Sequence, residues 1–311
     1  MKGKIIVTAV GGDRPGIVAE ISRVLYKHNA NILKTRASAV GSLFILVMLV
    51  DLTSANASAD WIREEVKEVG MRLGLGVSVE DAEGFRRRKK LIAFDMDGTL
   101  VEGETIEELA KAAGVYEEVK QITKDAMEGR IDFKEALTRR VRLLKGLPLS
   151  EVEKVKQRLK IASGAEDLVG ELKKAGFVTA IITGGFDVFA NHVASILGID
   201  YVYANKLKAK AGRLTGEFEG VILSPQDKLK ALKEISRKEK VKLEECVAVG
   251  DGANDLILLE ESGLGIGYNP KEPVKRKADA LVERTDLGAI LALIGVSQVS
   301  REVARRLKVE G

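Results

Sequence analysis

Leu91-Ile92-Ala93-Phe94-Asp95-Met96-Asp97-Gly98-Thr99-Leu100 runs from four apolar residues into two acids spaced by one residue and followed by a glycine. A short apolar run bounded by turn-forming residues reads as a strand buried on both faces. Alternation along an extended chain sends residues i and i+2 to the same side, so Asp95 and Asp97 leave the strand end together. Gly98 permits the sharp turn that follows. Two carboxylates at one strand end suit a divalent cation such as Mg²⁺, which takes hard oxygen ligands. They equally suit a division of labour, one acting as nucleophile and the other as acid and base. A capping Asp beside a turn Asp is the structural alternative for the pair taken alone.

Further runs of the same kind lie at residues 178–182, 246–249 and 264–266, separated by helical periods. Such alternation predicts a mostly parallel sheet covered on both faces, an α/β fold in which ligands gather at the carboxyl ends of the strands. Those ends carry the polar residues. Thr183-Gly184-Gly185 brings a hydroxyl and unobstructed backbone N–H groups, the equipment of a phosphate cradle. Gly250-Asp251-Gly252-Ala253-Asn254-Asp255 places more acids at another strand end, and Lys228 falls on a predicted helix after Pro225. Residues 102–162 are charge-rich and helical in period, with no strand signal, which predicts an α-helical cap. A cap excludes water and supplies specificity while the sheet supplies chemistry. Residues 205–221 alternate between glycines and read as a β-hairpin near the site.

In this order the four pieces, Asp-x-Asp-Gly-Thr, Thr-Gly-Gly, Lys and Gly-Asp-Gly-x-Asn-Asp, resemble the haloacid dehalogenase-like phosphatase superfamily over nearly all of residues 91–311. The resemblance implies a Rossmannoid parallel sheet and a role for each residue. Asp95 attacks phosphorus and forms an aspartyl-phosphate. Asp97 protonates the leaving alkoxide and then deprotonates the attacking water. Mg²⁺ is held by Asp95, the backbone carbonyl of Asp97 and Asp251, with Asp255 behind them. Thr183, the Gly184 amide and Lys228 stabilise the phosphoryl oxygens, and Asn254 orients the substrate or Lys228. Within the cap, Glu104, Phe133 and Arg140 stand at positions that resemble the phosphoserine phosphatase branch of this superfamily. There the Glu holds a substrate ammonium, the Arg forks onto a substrate carboxylate, and the Phe packs against the substrate. Two positions depart from that branch, which often has Ser where Thr99 and Thr183 stand, and Arg139 competes with Arg140 for the carboxylate.

Residues 1–80 follow a different grammar. A β-branched run at residues 4–10, an amphipathic helix from Ile17, strands at 30–40 and 42–52 turning near Gly41, a second helix from Trp61 and a last strand at 75–79 give βαββαβ, the ferredoxin-like layout. Gly11-Gly12-Asp13-Arg14-Pro15-Gly16-Ile17-Val18 at the first turn resembles the ACT family of small-molecule-binding regulatory domains. That resemblance implies an amino-acid effector bound around Gly11, Gly12, Asp13, Arg14, Pro15 and Gly16, commonly where two such domains meet, hence a homodimer. A turn that needs Gly and Pro only for its dihedrals is the alternative.

Composition excludes several other classes. The chain of 311 residues holds 50 Lys+Arg and 46 Asp+Glu, a formal charge of +4. The five basic residues 86–90 account for that excess, so neither flanking segment is basic and no nucleic-acid partner is expected. One cysteine, Cys246, and two histidines, His28 and His192, rule out an intramolecular disulfide, a Cys-rich zinc site and a multi-His centre. Cys246 reads as a small core residue, and the histidines as surface or helix-end residues. The longest apolar run, residues 43–50, is far short of the roughly 20 that span a bilayer, and no basic-then-apolar leader opens the chain, so no membrane partner and a cytoplasmic location are expected. The expected division is an ACT-like unit at 1–80, a basic linker at 81–90 whose run at 86–90 reads as a solvated linker or a strand entry, and a capped hydrolase at 91–311 ending in a short amphipathic helix at 299–308. The combined expectation is a Mg²⁺-dependent phosphatase that hydrolyses phosphoserine. Its rivals are a phosphotransferase to another amino-acid hydroxyl such as homoserine, a phosphatase of another small phosphomonoester, and an amino-acid sensor with a vestigial hydrolase.

Overall fold

A computed structural model describes residues 3–296 except 41, 42, 87, 128, 129, 284 and 285. The turn expected at Gly41, Arg87 of the basic run and the helix expected at 299–308 lie outside the described residues. Among the described residues, no helix is long and apolar enough to cross a membrane.

β1 (Lys4–Gly12), α1 (Ile17–Lys27), β2 (Asn31–Val40), β3 (Leu43–Asp51), α2 (Ala59–Leu73) and β4 (Gly76–Asp81) follow the expected βαββαβ order. The four strands pair antiparallel in the order β2-β3-β1-β4. Strand alternation sorts β1 into two faces: Ile5, Val7 and Ala9 pack with Ile21 and Leu25 of α1 and with Ile62 and Val66 of α2, whereas Ile6 and Val10 face the other way. Ser58 caps α2 by accepting from the Trp61 amide, and Gly74 ends it in the left-handed conformation, φ 65°. Gly70 lets α2 lie close on β4, since a Cβ there would come 2.7 Å from a Val77 methyl carbon.

The rest of the chain builds a second layer system. After α3 (Ala82–Arg86) and β5 (Leu91–Phe94), four helices α4 (Thr105–Ala113), α5 (Tyr116–Met127), α6 (Phe133–Leu143) and α7 (Leu149–Gln157) occupy the stretch expected to form a cap. There follow α8 (Ala165–Lys174), β6 (Val178–Phe186), α9 (Asp187–Leu197), the hairpin β7 (Tyr201–Lys210) and β8 (Arg213–Glu219), α10 (Pro225–Lys238), β9 (Cys246–Gly250), α11 (Leu256–Glu261), β10 (Gly265–Tyr268), α12 (Glu272–Lys277), β11 (Ala280–Val282) and α13 (Ala289–Leu293). Strands β11-β10-β9-β5-β6-β7 run parallel in that order, with β8 antiparallel at the edge. The chain leaves β5 toward β6 on one side and returns to β9 on the other. The crevice at the carboxyl end of β5 is therefore the topological switch point, where open α/β sheets bind ligands.

The basic run leads straight into β5, with Arg88 and Lys90 exposed as a solvated strand entry would have them, but the rest of the junction is packed. β4 runs on to Asp81, α3 occupies 82–86, and Phe85 and Lys89 are buried. Lys89 donates to the carbonyls of Gly263, at 2.7 Å, and Glu244. β4 pairs antiparallel with β11 (Ser78 with Ala280, Val77 with Leu281), fusing both halves into one eleven-stranded sheet. The second face of the N-terminal sheet is then covered: Ile6, Val10 and Val47 share a core with Leu287, Ile290 and Leu293. Each of those last three side chains is fully buried, worth roughly 2 kcal/mol apiece by area removed from water. Periodicity could not reveal β11, because Ala280-Leu281-Val282 is too short a run to stand out.

Candidate active site

Asp95 sits one residue past β5 and is tied in place by its own backbone, its N–H donating to the Val249 carbonyl of β9 at 2.8 Å. The next turn is tight: the amides of Leu100 and Val101 both reach the Met96 carbonyl, and Gly98 adopts φ +70°. A Cβ at Gly98 would lie 2.8 Å from Asp251 Oδ2, so the glycine serves both the turn and the close approach of β9's acid.

Asp251 and Asp255 arrive from the end of β9. Together with Asp95 they are buried and offer carboxylate oxygens within 4.8 Å of one another. Gly250 is required for this, because a Cβ there would meet Asp255 at 2.5 Å. Lys228, on the first turns of α10, reaches into the cluster. Its Nζ lies 2.7 Å from Asp255 Oδ1 and 3.1 Å from Asp95 Oδ1, with the side chain 1% exposed. Pro225 at the helix start and a reciprocal Ser224–Asp227 capping box fix the helix entry that aims it. Burial pushes the Asp255 carboxyl up to about 7, with Asp95 adding to the rise and Lys228 opposing it. Burial likewise raises Asp251 to about 6, against the pull of Lys271. Burial alone would lower the Lys228 ammonium, but Asp255 and Asp95 outweigh it and hold the group above its usual range.

Asp97 faces the cap. Its two carboxylate oxygens accept from the Thr105 amide at 3.0 Å and the Thr105 hydroxyl at 3.1 Å, at the start of α4. Its rim is open to solvent, yet it is set deeply among protein atoms. That burial, with Glu104 and Asp95 nearby, raises its pKa well above the usual carboxylate value. From β6, the Thr183 hydroxyl accepts from the Gly185 amide at 2.9 Å. Gly184 lies under the cap's Phe133, where a Cβ would meet the ring at 3.0 Å, and Gly185 packs against Asp97 so closely that a Cβ would sit 2.7 Å from Oδ2. Asn254 reaches Asp95 Oδ2 at 3.4 Å.

The cap residues divide. Arg139 is exposed and paired with Glu135, one turn back on its own helix. Arg140 is half-buried and makes long contacts to the Ala136 carbonyl and the Thr123 hydroxyl. Burial lowers its pKa while Glu104, Asp97 and Glu107 act against that, which places it in the field of the site's acids. Glu104 stands at the N-terminus of α4 without capping it, and its carboxylate meets Lys271 at 3.3 Å.

Three residues at the site were not singled out from the sequence. Lys271, in the loop after β10, lies 2.9 Å from Asp251 Oδ2. Its place beyond a strand's carboxyl end was the available signal. Thr105 is the anchor of Asp97. Asn205, at 2% exposure, donates to the Gly184 carbonyl and accepts from the Leu223 amide, both at 2.8 Å, so the hairpin at 201–219 buttresses the Thr183-Gly184 loop. Neither histidine joins the site: His28 ends α1, buried against Glu65 at 2.9 Å, and His192 lies in α9. Cys246 is buried in β9.

The N-terminal candidates gather elsewhere. Gly12, Asp13, Arg14 and Pro15 line a cleft of about 690 Å³ with Leu73 and Gly74. Arg14 closes one wall by donating to the Leu73 carbonyl at 3.2 Å. Gly11 lies behind the cleft against Leu75, and Gly16, at φ +96°, heads α1. None of the residues around Asp95 lines this cleft.

Comparison with known proteins agrees with both halves. Residues 89–263 match the haloacid dehalogenase-like hydrolase family, and residues 4–80 match the ACT domain. A phosphoserine phosphatase of Archaeoglobus fulgidus is 43% identical over 293 residues, covering 94% of this chain and 85% of that one. A solved structure described as a phospho-aspartyl intermediate analogue of phosphoserine phosphatase is 48% identical over 66% of this chain and 99% of its own, with TM-score 0.63. A probable phosphoserine phosphatase from Vibrio cholerae, unliganded, is 30% identical over 97% of this chain and 89% of its own, with TM-score 0.74. The chain thus belongs to the haloacid dehalogenase-like hydrolases, among the phosphoserine phosphatases of that family, and carries an ACT domain at its N-terminal end.

Proposed function

We propose that this enzyme is a Mg²⁺-dependent phosphoserine phosphatase acting through an aspartyl-phosphate on Asp95, with residues 1–80 as its regulatory unit and 91–311 as its hydrolase. The observation that carries the reading is the convergence at the end of β5: buried Asp95 beside Lys228, the Thr183 hydroxyl and glycine amides of β6, and Asp97 clamped by the cap.

The residues fit a hard divalent cation. Asp95, Asp251 and Asp255 present only carboxylate oxygens, and Lys228 with the half-exposed Lys271 still leaves the three buried acids short of one positive charge. Asp95, Asp251 and the Asp97 carbonyl would hold Mg²⁺, which supplies positive charge to the phosphoryl oxygens. In the first step an Asp95 oxygen bonds to phosphorus as the phosphorus–oxygen bond to serine breaks. Asp97, whose burial favours the protonated form, gives its proton to the departing serine oxygen. In the second step the Asp97 carboxylate takes a proton from water as that water attacks phosphorus, and Asp95 leaves as the free carboxylate. Lys228, Thr183 and the Gly184 amide hold the phosphoryl oxygens throughout, since phosphoryl transfer gains chiefly from positioning and charge stabilisation.

Glu104 and Arg140 supply the specificity, reading the ammonium and carboxylate of an amino-acid head group while Phe133 covers it. The cleft at Gly12–Pro15 would take an amino-acid effector, and the chain would pair as a homodimer through its ACT domain, in the cytoplasm, at the step of serine biosynthesis that releases serine. The test is phosphate release from O-phosphoserine, phosphothreonine, phosphoglycolate and p-nitrophenyl phosphate at fixed Mg²⁺, with and without homoserine as acceptor. Clear preference for phosphoserine with free phosphate as product supports the reading. Equal rates across the panel, or phosphoryl transfer to homoserine in place of phosphate release, would overturn it.

A further inference from the structure

Lys271 differs from the other cations of the site in what it touches and in its freedom to leave. Lys228 is wholly buried between Asp95 and Asp255. The Lys271 side chain is 47% exposed and spans two carboxylates with different proposed tasks, Asp251 Oδ2 at 2.9 Å and Glu104 Oε1 at 3.3 Å. Its backbone is fixed, the amide donating to the Asp251 carbonyl at 2.8 Å at the head of α12. The loop is therefore anchored while the ammonium can swing outward. Glu104, for its part, caps nothing on α4.

Resting on the function proposed above, we propose that Lys271 is a placeholder cation. In the unloaded site its single ammonium satisfies the carboxylate meant for the divalent cation and the carboxylate meant for the substrate's ammonium, and it yields both on loading. Without it, Glu104 and Asp251 would face each other with no shared counter-charge between cap and sheet. Two consequences follow from one ammonium serving two acids. Release from either acid weakens its hold on the other, so metal and substrate favour each other's binding. A phosphoester lacking an ammonium leaves Lys271 on Glu104 and gains nothing from this exchange, which makes Lys271 a positioning residue for substrate choice.

The experiment compares the full chain with Lys271→Met and Lys271→Arg. Mg²⁺ affinity is measured by calorimetry without substrate, and KM is measured for O-phosphoserine and for its deaminated analogue. A half-exposed bridge of this kind is worth roughly a two- to fivefold effect. Lys271→Met is expected to bind Mg²⁺ tighter by about that factor, and to lower the KM for phosphoserine but not for the deaminated analogue. Lys271→Arg is expected to stay within about twofold of the parent chain, since it keeps the cation. Unchanged or weaker Mg²⁺ binding in Lys271→Met would overturn the proposal, as would an arginine variant that behaves like the methionine one. Failure of the parent chain to hydrolyse phosphoserine would refute the substrate instead, and the calorimetry would still decide what Lys271 does at Asp251.

Discussion

Replacing Lys228 by Met keeps the length and apolar stem of the side chain and deletes only the ammonium. That ammonium is the partner of two carboxylates, at 2.7 and 3.1 Å, and all three side chains are 0–5% exposed. Removing one member of a buried ion pair leaves an uncompensated charge and costs about 3–5 kcal/mol. The cost has a pH signature. With the cation gone, burial acts unopposed on Asp255, whose carboxyl binds a proton more tightly in the folded state than in the unfolded chain. The variant therefore loses stability as pH rises, by up to about 1.4 kcal/mol per unit for each proton involved. Urea denaturation in EDTA, followed by circular dichroism at pH 5.5 and pH 8, measures this directly. The expected result is a larger gap from the parent chain at pH 8 than at pH 5.5, and a fall in kcat of about a hundredfold or more in Mg²⁺. A variant that is less than about 1 kcal/mol destabilised at pH 8, or equally destabilised at both pH values, would refute the account of the buried triad.

Three more outcomes follow from the geometry. Asp95→Asn should abolish turnover, and labelled phosphoserine quenched in acid should tag the parent chain and leave the variant unlabelled; a variant that still turns over would exclude the covalent route. Arg140→Ala should lower kcat/KM on phosphoserine by about a hundredfold, the worth of a charge-assisted fork, with little change on p-nitrophenyl phosphate. Equal losses on both substrates would remove Arg140 from head-group recognition. Glu80 lies in the seam between the two halves, where burial pushes its carboxyl up to about 7 although Lys89 is 4.0 Å away and pulls it down. A carboxyl whose folded pKa is raised holds its proton more tightly when folded, so its contribution is intact near pH 4.5 and is lost as pH climbs toward 7. Glu80→Gln should therefore raise stability by about 3 kcal/mol at pH 8 and leave it nearly unchanged at pH 4.5; a melting-temperature gain of the same size at both pH values would contradict this.

Much of the candidate site was legible because its parts are local. Asp95 and Asp97 leave one strand end through a turn that needs Gly98, and Thr183-Gly184-Gly185 and Asp251–Asp255 carry similar signatures beyond their own strands. What stayed hidden were residues whose role depends on a neighbour distant in sequence. Thr105 looks like an ordinary helix-start hydroxyl until Asp97 is seen against it. Lys271 reads as loop charge until β10 lays it between Asp251 and Glu104. The choice between Arg139 and Arg140 turned on which face of α6 meets the site, and periodicity alone left it open.

The same division runs through the fold. Apolar period, turn residues and strand-end acids settled the two kinds of architecture, because alternation and helical spacing are properties of a short window of chain. The basic run at 86–90 looked like a solvated linker or a strand entry because Lys and Arg are seldom buried. Tertiary structure decided otherwise for Lys89, which finds two backbone carbonyls, and for the seam, where β11 joins β4 and α13 covers the outer face of β1. A three-residue strand and a five-residue helix carry too little pattern to announce themselves. They form because each supplies what the other half lacks, ladder partners for an open strand edge and apolar cover for an exposed sheet face.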